Sequence, residues 1–318
     1  MSLLNRAISL TLPAIPRPIL GYFSRPYIAG ERIDDAVRHV RTLHEEGAVA
    51  TLDVLGEEVT HEEQAQHAVE IYKQVLQRIN AEQLPSSISL KPTHMGLKLG
   101  KDLCYHNIHG LVKLAKIYNN FVRIDMEDHT TTSDTLDIFV RLREEFDNVG
   151  TVLQAYLRRT VADINRLIPL RPNLRICKGI YVEPRTVAYK DHDIINQNFG
   201  YILEKLMLNN CYVGIATHDE MVVWEALRLI DKYKIPRDRY EFQMLLGVEP
   251  ELRRILLAEG HKLRVYIPFG AEWAAYSTRR LKENPNIVGH VMKSIIGKAF
   301  SRNGSPVPTP SKSPAQSN

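Results

Sequence analysis

Short apolar runs recur eight times along this chain, and most are followed by a segment with amphipathic helical periodicity. No other feature constrains the fold as much. The runs cover residues 48–54, 86–91, 121–127, 151–156, 174–178, 212–217, 241–245 and 263–267, and segments such as 62–78 and 134–146 carry the helical period. Each run has the length and β-branched or aromatic content of a buried strand. Eight β-α repeats predict an α/β fold, a parallel (β/α)8 barrel of the TIM type. A doubly wound sheet would produce the same alternation, but no G-x-G-x-x-G or P-loop stands at any strand-to-helix turn. The last run, within Leu263-Arg-Val-Tyr-Ile-Pro-Phe-Gly270, is expected to end at its Pro and Gly.

Residues 1–45 precede the first run and contain the helical stretch 33–46, so they are expected to form an N-terminal helical arm. The barrel should then occupy residues 46–300. Residues 301–318 are rich in Ser, Pro, Asn and Lys, a composition expected to stay disordered. The first 30 residues hold Arg6, Arg17 and Arg25 and no acid, with leucines and isoleucines between them. Three readings fit: a peripheral membrane anchor, a targeting peptide, or an ordinary helix packed on its own domain.

Length and composition narrow the function class. With 318 residues and 44% hydrophobic content, the chain can build a sizeable core. A net charge of +4 without a Lys/Arg run or basic-aromatic alternation argues against nucleic acid as a partner. The three cysteines have no metal-ligand spacing and are too few for a disulfide framework, so reduced thiols in a cytoplasmic setting are expected. No stretch approaches the roughly 20 apolar residues of a membrane span.

In a barrel, chemistry collects where the strands end at their carboxyl termini. Here those ends carry Asp53 and Glu57, Lys91, Asp125 and Glu127, Gln154 and Tyr156, then Arg175, Lys178 and Tyr181. Thr217, His218 and Asp219 follow, then Gln243 with Leu245, and finally Tyr266. Asp53, Gln154 and Gln243 taken singly read equally well as satisfied core groups. Beyond the eighth run, Tyr276, Arg279, Arg280 and Glu283 stand at i, i+3, i+4 and i+7, one face of a helix stopped by Asn284-Pro285. A ring, two guanidiniums and a carboxylate on one face suit a small zwitterion; the plain alternative is a solvated helix face. Asp125, Glu127, Asp128 and His129 resemble a metal-ligand cluster, but strand alternation sends Asp125 and Glu127 to one side only, and no metal is expected. Lys91 or Lys178 could serve as a Schiff-base lysine, as in barrel aldolases, although so many cations at one mouth suit an anionic ligand better.

The chain resembles the proline dehydrogenase family through all eight repeats, over roughly residues 25–300. The resemblance rests on Thr51-Leu-Asp-Val-Leu-Gly-Glu57, Ser89-Leu-Lys91, Ile124-Asp-Met-Glu127, Leu153-Gln-Ala-Tyr156 and Arg175-Ile-Cys-Lys-Gly-Ile-Tyr181. It continues through Ala216-Thr-His218, Glu241-Phe-Gln-Met-Leu245, Val265-Tyr-Ile-Pro268 and Tyr276-Ser-Thr-Arg-Arg-Leu-Lys-Glu-Asn-Pro285. It implies FAD-dependent oxidation of L-proline to Δ1-pyrroline-5-carboxylate, by hydride transfer from C5 to flavin N5, as the first step of proline catabolism to glutamate. Lys91, Arg279 and Arg280 would then bind the carboxylate, and Tyr181, Leu245, Tyr266 and Tyr276 would wall the ring. Asp125 and Arg175 would belong to the catalytic set, and Glu57 would pair with Arg279 over the substrate. FAD would be held by Gln154, Arg175, Cys177, Lys178, Gly179, Tyr181, Thr217, His218, Gln243 and Glu283. With no room for the aldehyde dehydrogenase domain of bifunctional members, the chain resembles the monofunctional bacterial form, whose product passes to a separate pyrroline-5-carboxylate dehydrogenase. Members of the family differ in what accepts the electrons; the basic, apolar N-terminus points to a membrane quinone, and with it to a cytoplasmic enzyme with peripheral contact to the inner membrane.

Overall fold

A computed structural model describes residues 26–274 and Ser277. Within it, eight parallel strands close on themselves in chain order: β1 Val49–Val54, β2 Ser86–Leu90, β3 Val122–Ile124, β4 Val149–Gln154, β5 Asn173–Cys177, β6 Tyr212–Ala216, β7 Tyr240–Leu245 and β8 Leu263–Phe269. Closure is made by β1 against β8, from Val49↔Arg264 to Val54↔Phe269. That pairing rules out the doubly wound alternative, whose sheet has open edges.

Helix α1 (Ile33–Glu45) precedes the barrel and packs on β1 and β8. The strands are followed in turn by α2 (Glu62–Ala81), α3 (Lys101–Ile117), α4 (His129–Arg143), α5 (Thr160–Leu167), α6 (His192–Leu208), α7 (Glu220–Tyr233) and α8 (Pro250–Ala258). Strand alternation divides the side chains into two sets. Leu52, Ile88, Ile124, Ile215, Phe242 and Val265 are fully buried in the hydrophobic core with helix residues such as Val75, Leu111, Phe139 and Leu203. The opposite set, which includes Asp53, Ser89, Arg123, Arg175, Glu241 and Gln243, is buried and polar. The apolar core is therefore a ring between sheet and helices, and the barrel lumen is ionic.

Three boundaries depart from expectation for identifiable reasons. Strand β3 stops at Ile124 rather than 127, because its pairing with β4 ends at Ile124↔Thr151. Strand β8 runs through Pro268 instead of stopping there. Pro268 lies beyond the last β7 pair, Leu245↔Tyr266, so its missing N–H costs no ladder bond on that side, and its carbonyl accepts from the Ala29 N–H at 3.0 Å. Helix α4 starts at His129, five residues before the expected 134, because Asp128 caps it by accepting from the Thr130 N–H at 2.8 Å. The threonines at 130–132 have weak helix propensity and hide that first turn in the sequence. Residues 1–25, the region holding Tyr276, Arg279, Arg280 and Glu283, and the tail 301–318 lie outside the described residues.

Candidate active site

The carboxyl-terminal half of the lumen is built around two buried ion pairs. Lys91, at the end of β2, donates to Asp53 Oδ2 of β1 at 2.7 Å, and its ammonium also lies 4.0 Å from Glu57 Oε1. Tyr72 of α2 reaches in from outside the sheet: its hydroxyl donates to the Ser89 carbonyl at 2.8 Å and accepts from the Val54 N–H at 3.1 Å, 3.3 Å from Asp53 Oδ1. Burial on its own lowers the Lys91 pKa. The carboxylates of Asp53, Glu57 and Asp125 outweigh it and hold the ammonium above its ordinary pKa. A lysine so held makes a poor Schiff-base nucleophile, which removes the main support for an aldolase-like reading.

The second pair joins Arg175 of β5 to Asp125, just past β3. Arg175 donates from Nη1 to Asp125 Oδ1 at 2.7 Å and from Nε to Gln243 Oε1 at 2.5 Å, and its guanidinium lies 5.2 Å from the centroid of the Tyr266 ring. Asp125 also accepts from Ser89 Oγ at 2.7 Å and from the Tyr266 hydroxyl at 2.8 Å. Tyr266 therefore faces the lumen and Val265 the helices. Asp125 and Glu127 do not form a joint ligand set, since Glu127 is taken by Thr93, from its N–H at 2.8 Å and its hydroxyl at 2.6 Å. Among the described residues no group of three or more His, Cys, Asp or Glu could hold a metal.

Around this centre, Lys178 donates to Asp219 Oδ2 and lies 3.1 Å from His192 Nε2. Asp219 is at the same time the N-cap of α7, accepting from the Met221 N–H at 2.9 Å, so the helix start fixes the lysine's partner. His218 Nε2 accepts from the Leu245 N–H at 2.9 Å, which assigns its ring hydrogen to Nδ1. Thr217 Oγ1 accepts from the Asp219 N–H at 3.1 Å. Gln154 donates to the Glu127 carbonyl at 2.8 Å, and the Cys177 thiol lies 3.8 Å from the Leu153 carbonyl. Gly179 has φ +107°, and a Cβ there would come within 2.2 Å of the Tyr156 ring; only glycine lets the chain turn between Lys178 and the half-buried Tyr181.

Burial raises the Glu127 carboxyl to about 7 although both Thr93 hydrogen bonds oppose the shift. Its folded pKa exceeds its unfolded one, so the folded state binds the extra proton between about pH 4.5 and 7 and stability falls as pH rises through that window. Glu127→Gln should flatten this slope in urea melts run across the window; an unchanged slope would assign the pH dependence elsewhere.

Of the expected residues, Lys91, Asp125, Arg175, Gln243, Tyr266 and Glu57 meet in one cluster, while Lys178, Thr217, His218 and Leu245 form its adjacent wall. Ser89 and Thr93 were missed as site groups, and Tyr72 has no local sequence signal because its role depends on a helix meeting the outer face of the sheet. Strand period was available for Arg123, Glu241 and Arg264, which share the inward face of their strands with Asp125, Gln243 and Tyr266.

The proline dehydrogenase family model matches residues 36–293. Proline dehydrogenase 1 of Bacillus subtilis (strain 168) is 38% identical over 275 residues, covering 86% of this chain and 91% of that protein. The chain belongs to the proline dehydrogenase family. Proline dehydrogenase of Deinococcus radiodurans is 36% identical over 275 residues, 85% of this chain and 89% of that protein. Proline utilization A of Bdellovibrio bacteriovorus superposes with a TM-score of 0.79 at 21% identity, over 94% of this chain; the chain spans 38% of that longer protein. A proline dehydrogenase performs the first step of proline catabolism, and the ionic lumen described above is where this family member gathers its polar groups.

Proposed function

We propose that this proline dehydrogenase uses FAD to convert L-proline to Δ1-pyrroline-5-carboxylate at the carboxyl-terminal mouth of the barrel. The observation that carries the reading is Arg175, a buried guanidinium fixed by Asp125 and Gln243 under the Tyr266 ring. The surrounding donor set suits a flavin: Arg175 and Lys178 are cations, and the His218 tautomer leaves its ring hydrogen on Nδ1. Gln154, Cys177, Gly179, Tyr181, Thr217, Gln243 and Glu283 complete the proposed FAD contacts.

When bound, FAD supplies at N5 a two-electron acceptor for the hydride leaving proline C5, and a route for those electrons to a quinone. The chain itself supplies position and charge. Lys91, with Arg279 and Arg280, holds the proline carboxylate through charge-assisted hydrogen bonds. Tyr181, Leu245 and Tyr266 would wall the ring, a role also proposed for Tyr276, and Arg279 is the proposed partner of Glu57 over the substrate. Arg175 would help hold FAD and would supply a fixed positive charge, the kind of group that stabilises negative charge on an electron acceptor. Asp125 acts through Arg175 and Tyr266 by fixing both. Contact with the inner membrane is proposed on the basic, acid-free first 30 residues, and product oxidation is assigned to a separate pyrroline-5-carboxylate dehydrogenase.

Purified protein should show flavin absorbance bands that bleach on anaerobic addition of proline. A colourless protein that takes up no FAD would overturn the reading.

Substrate choice follows from Tyr266, whose partly exposed ring is held in the lumen by Asp125. A phenol there fills the space that a hydroxyl on C4 of the ring would need, so trans-4-hydroxyproline should be a poor substrate. Tyr266→Ser should lower activity on proline and raise the ratio of kcat/KM for hydroxyproline over proline, because the wall is lost for both substrates and the clash for only one. An unchanged preference would show that the ring does not line the substrate site.

A further inference from the structure

At the opposite end of the lumen, below Gln243, a cavity of about 230 Å3 is lined by the starts of the strands, including Arg123, Asn173, Tyr212, Glu241, Lys262 and Arg264. The proposed chemistry uses none of these six. Their charges do not balance. Glu241 is saturated with donors: it takes Arg264 Nε at 2.6 Å and Nη2 at 3.1 Å, Gln243 Nε2 at 2.6 Å and the Tyr212 hydroxyl at 3.0 Å, with Lys262 Nζ 3.3 Å away.

Arg123 receives no carboxylate. Among the described residues its hydrogen bonds go to neutral oxygens only: the Thr151 carbonyl at 2.9 Å, the Asn173 carbonyl at 2.7 Å and Asn173 Oδ1 at 2.5 Å. Nε has no partner, so of the five guanidinium hydrogens those three bonds leave two unused. The side chain is 3% exposed. Gly150 makes room for it, since a Cβ there would come within 2.5 Å of Arg123 Nη1. Arg175, the remaining cation on the wall, is matched by Asp125. Arg123, Lys262 and Arg264 against Glu241 therefore leave an excess of two positive charges, three minus one, around a cavity that reaches solvent beside the half-exposed Lys262. Burial and the nearby Arg175 pull the Arg123 pKa down to about 9, as expected of a buried cation short of counter-charge.

We propose that the base of the barrel binds a small inorganic oxyanion of the phosphate or sulfate class between Arg123, Lys262 and Arg264. The volume suffices for such an ion with attendant water, at about 30 Å3 per water molecule. The ion would accept the second Arg123 Nη2 hydrogen and supply the missing counter-charge to the buried guanidinium. None of its three cations is assigned to proline or FAD, although Arg175 and Gln243 of the mouth network form the cavity's inner wall; its occupancy does not depend on the reaction assigned to the mouth.

The test is a thermal titration of the 318-residue chain with inorganic phosphate or sulfate at constant ionic strength. A saturable rise in Tm is expected, since a ligand that binds only the folded state stabilises it by mass action. Lys262→Gln, at the cavity rim, should raise the half-saturating concentration about tenfold, the order of one lost charge-assisted contact, and Arg123→Gln should abolish the saturable phase. Neither residue takes part in the hydrogen bonds of the mouth cluster around Asp125, so an oxyanion bound at the mouth should respond to neither. Should Arg123→Gln fail to fold, Lys262→Gln and a crystal soaked in selenate decide the matter, with an anomalous peak expected among the three cations. A Tm that climbs without saturating, an identical response in Lys262→Gln, or selenate found only elsewhere would each overturn the proposal.

Discussion

Arg175→Met should lower kcat by at least about a hundredfold, the scale on which one pre-placed charge stabilises a transition state. The guanidinium is the junction of the mouth network, and its side chain is only 8% exposed. Removing it takes a partner from Asp125 and from Gln243 Oε1 together, and takes the cation from beneath the Tyr266 ring. Breaking one side of a buried pair costs about 3–5 kcal/mol, so Tm should fall by roughly 6–20 °C, at about 2–4 °C per kcal/mol for a domain of this size. The two effects are separable by measuring turnover well below the variant's Tm. Arg175→Lys restores charge without the planar fork and should recover stability more than rate. Near-normal turnover in folded Arg175→Met would make the residue a structural tie and remove it from the reaction.

Lys91→Met should destabilise the protein by about 3–5 kcal/mol at neutral pH, because it leaves Asp53, whose side chain is 0% exposed, without its counter-ion. Tyr72, 3.3 Å away, is too weak a replacement. Burial already raises the Asp53 carboxyl against the pull of Lys91, and without the ammonium it rises further. A carboxyl with a raised folded pKa loses stability as pH climbs through the raised range, so the deficit should grow as pH rises above the ordinary carboxylate range and shrink as it falls back toward it. Pairing the change with Asp53→Leu removes the orphaned charge and should return most of the lost stability, while proline binding stays impaired because the proposed carboxylate contact is still absent. If the double variant melts no higher than Lys91→Met, the buried charge was not the cause. If it turns over proline with an unchanged KM, Lys91 does not hold the substrate.

Much of the site was legible because a barrel turns sequence period into location. Lys91, Arg175, Gln243 and Tyr266 stand on or directly after their strands at positions that a parallel barrel brings to one lumen. Less legible was which group each would engage. Lys91 stands just past β2 and its partner Asp53 on β1; Arg175 on β5 bonds Asp125 beside β3 and Gln243 on β7. Those partners depend on the stagger of strands around a closed cylinder, which local propensity does not encode. Glu241 illustrates the limit. Its carboxyl is held down at about 2 because Arg264, Lys262 and Arg123 overcome its burial, yet in the chain it is simply an acid beginning a strand.

What the sequence determined by itself was the repeat: eight apolar runs set among helices of period 3.6, enough to require strands buried on both faces and hence a parallel sheet covered by helices, which the pairing of β1 with β8 closes into a barrel. It also determined the chemical inventory of the lumen, since every second residue of those strands had to point inward. Only the tertiary structure decided how the charges combine. It set Lys91 against Asp53 and Arg175 against Asp125, brought Tyr72 in from a helix, and left Arg123 with neutral oxygens while Glu241 collected the other cations. Alternation is a local property of each strand, whereas ion pairing in a barrel is fixed by closure and shear, which exist only when all eight strands are in place.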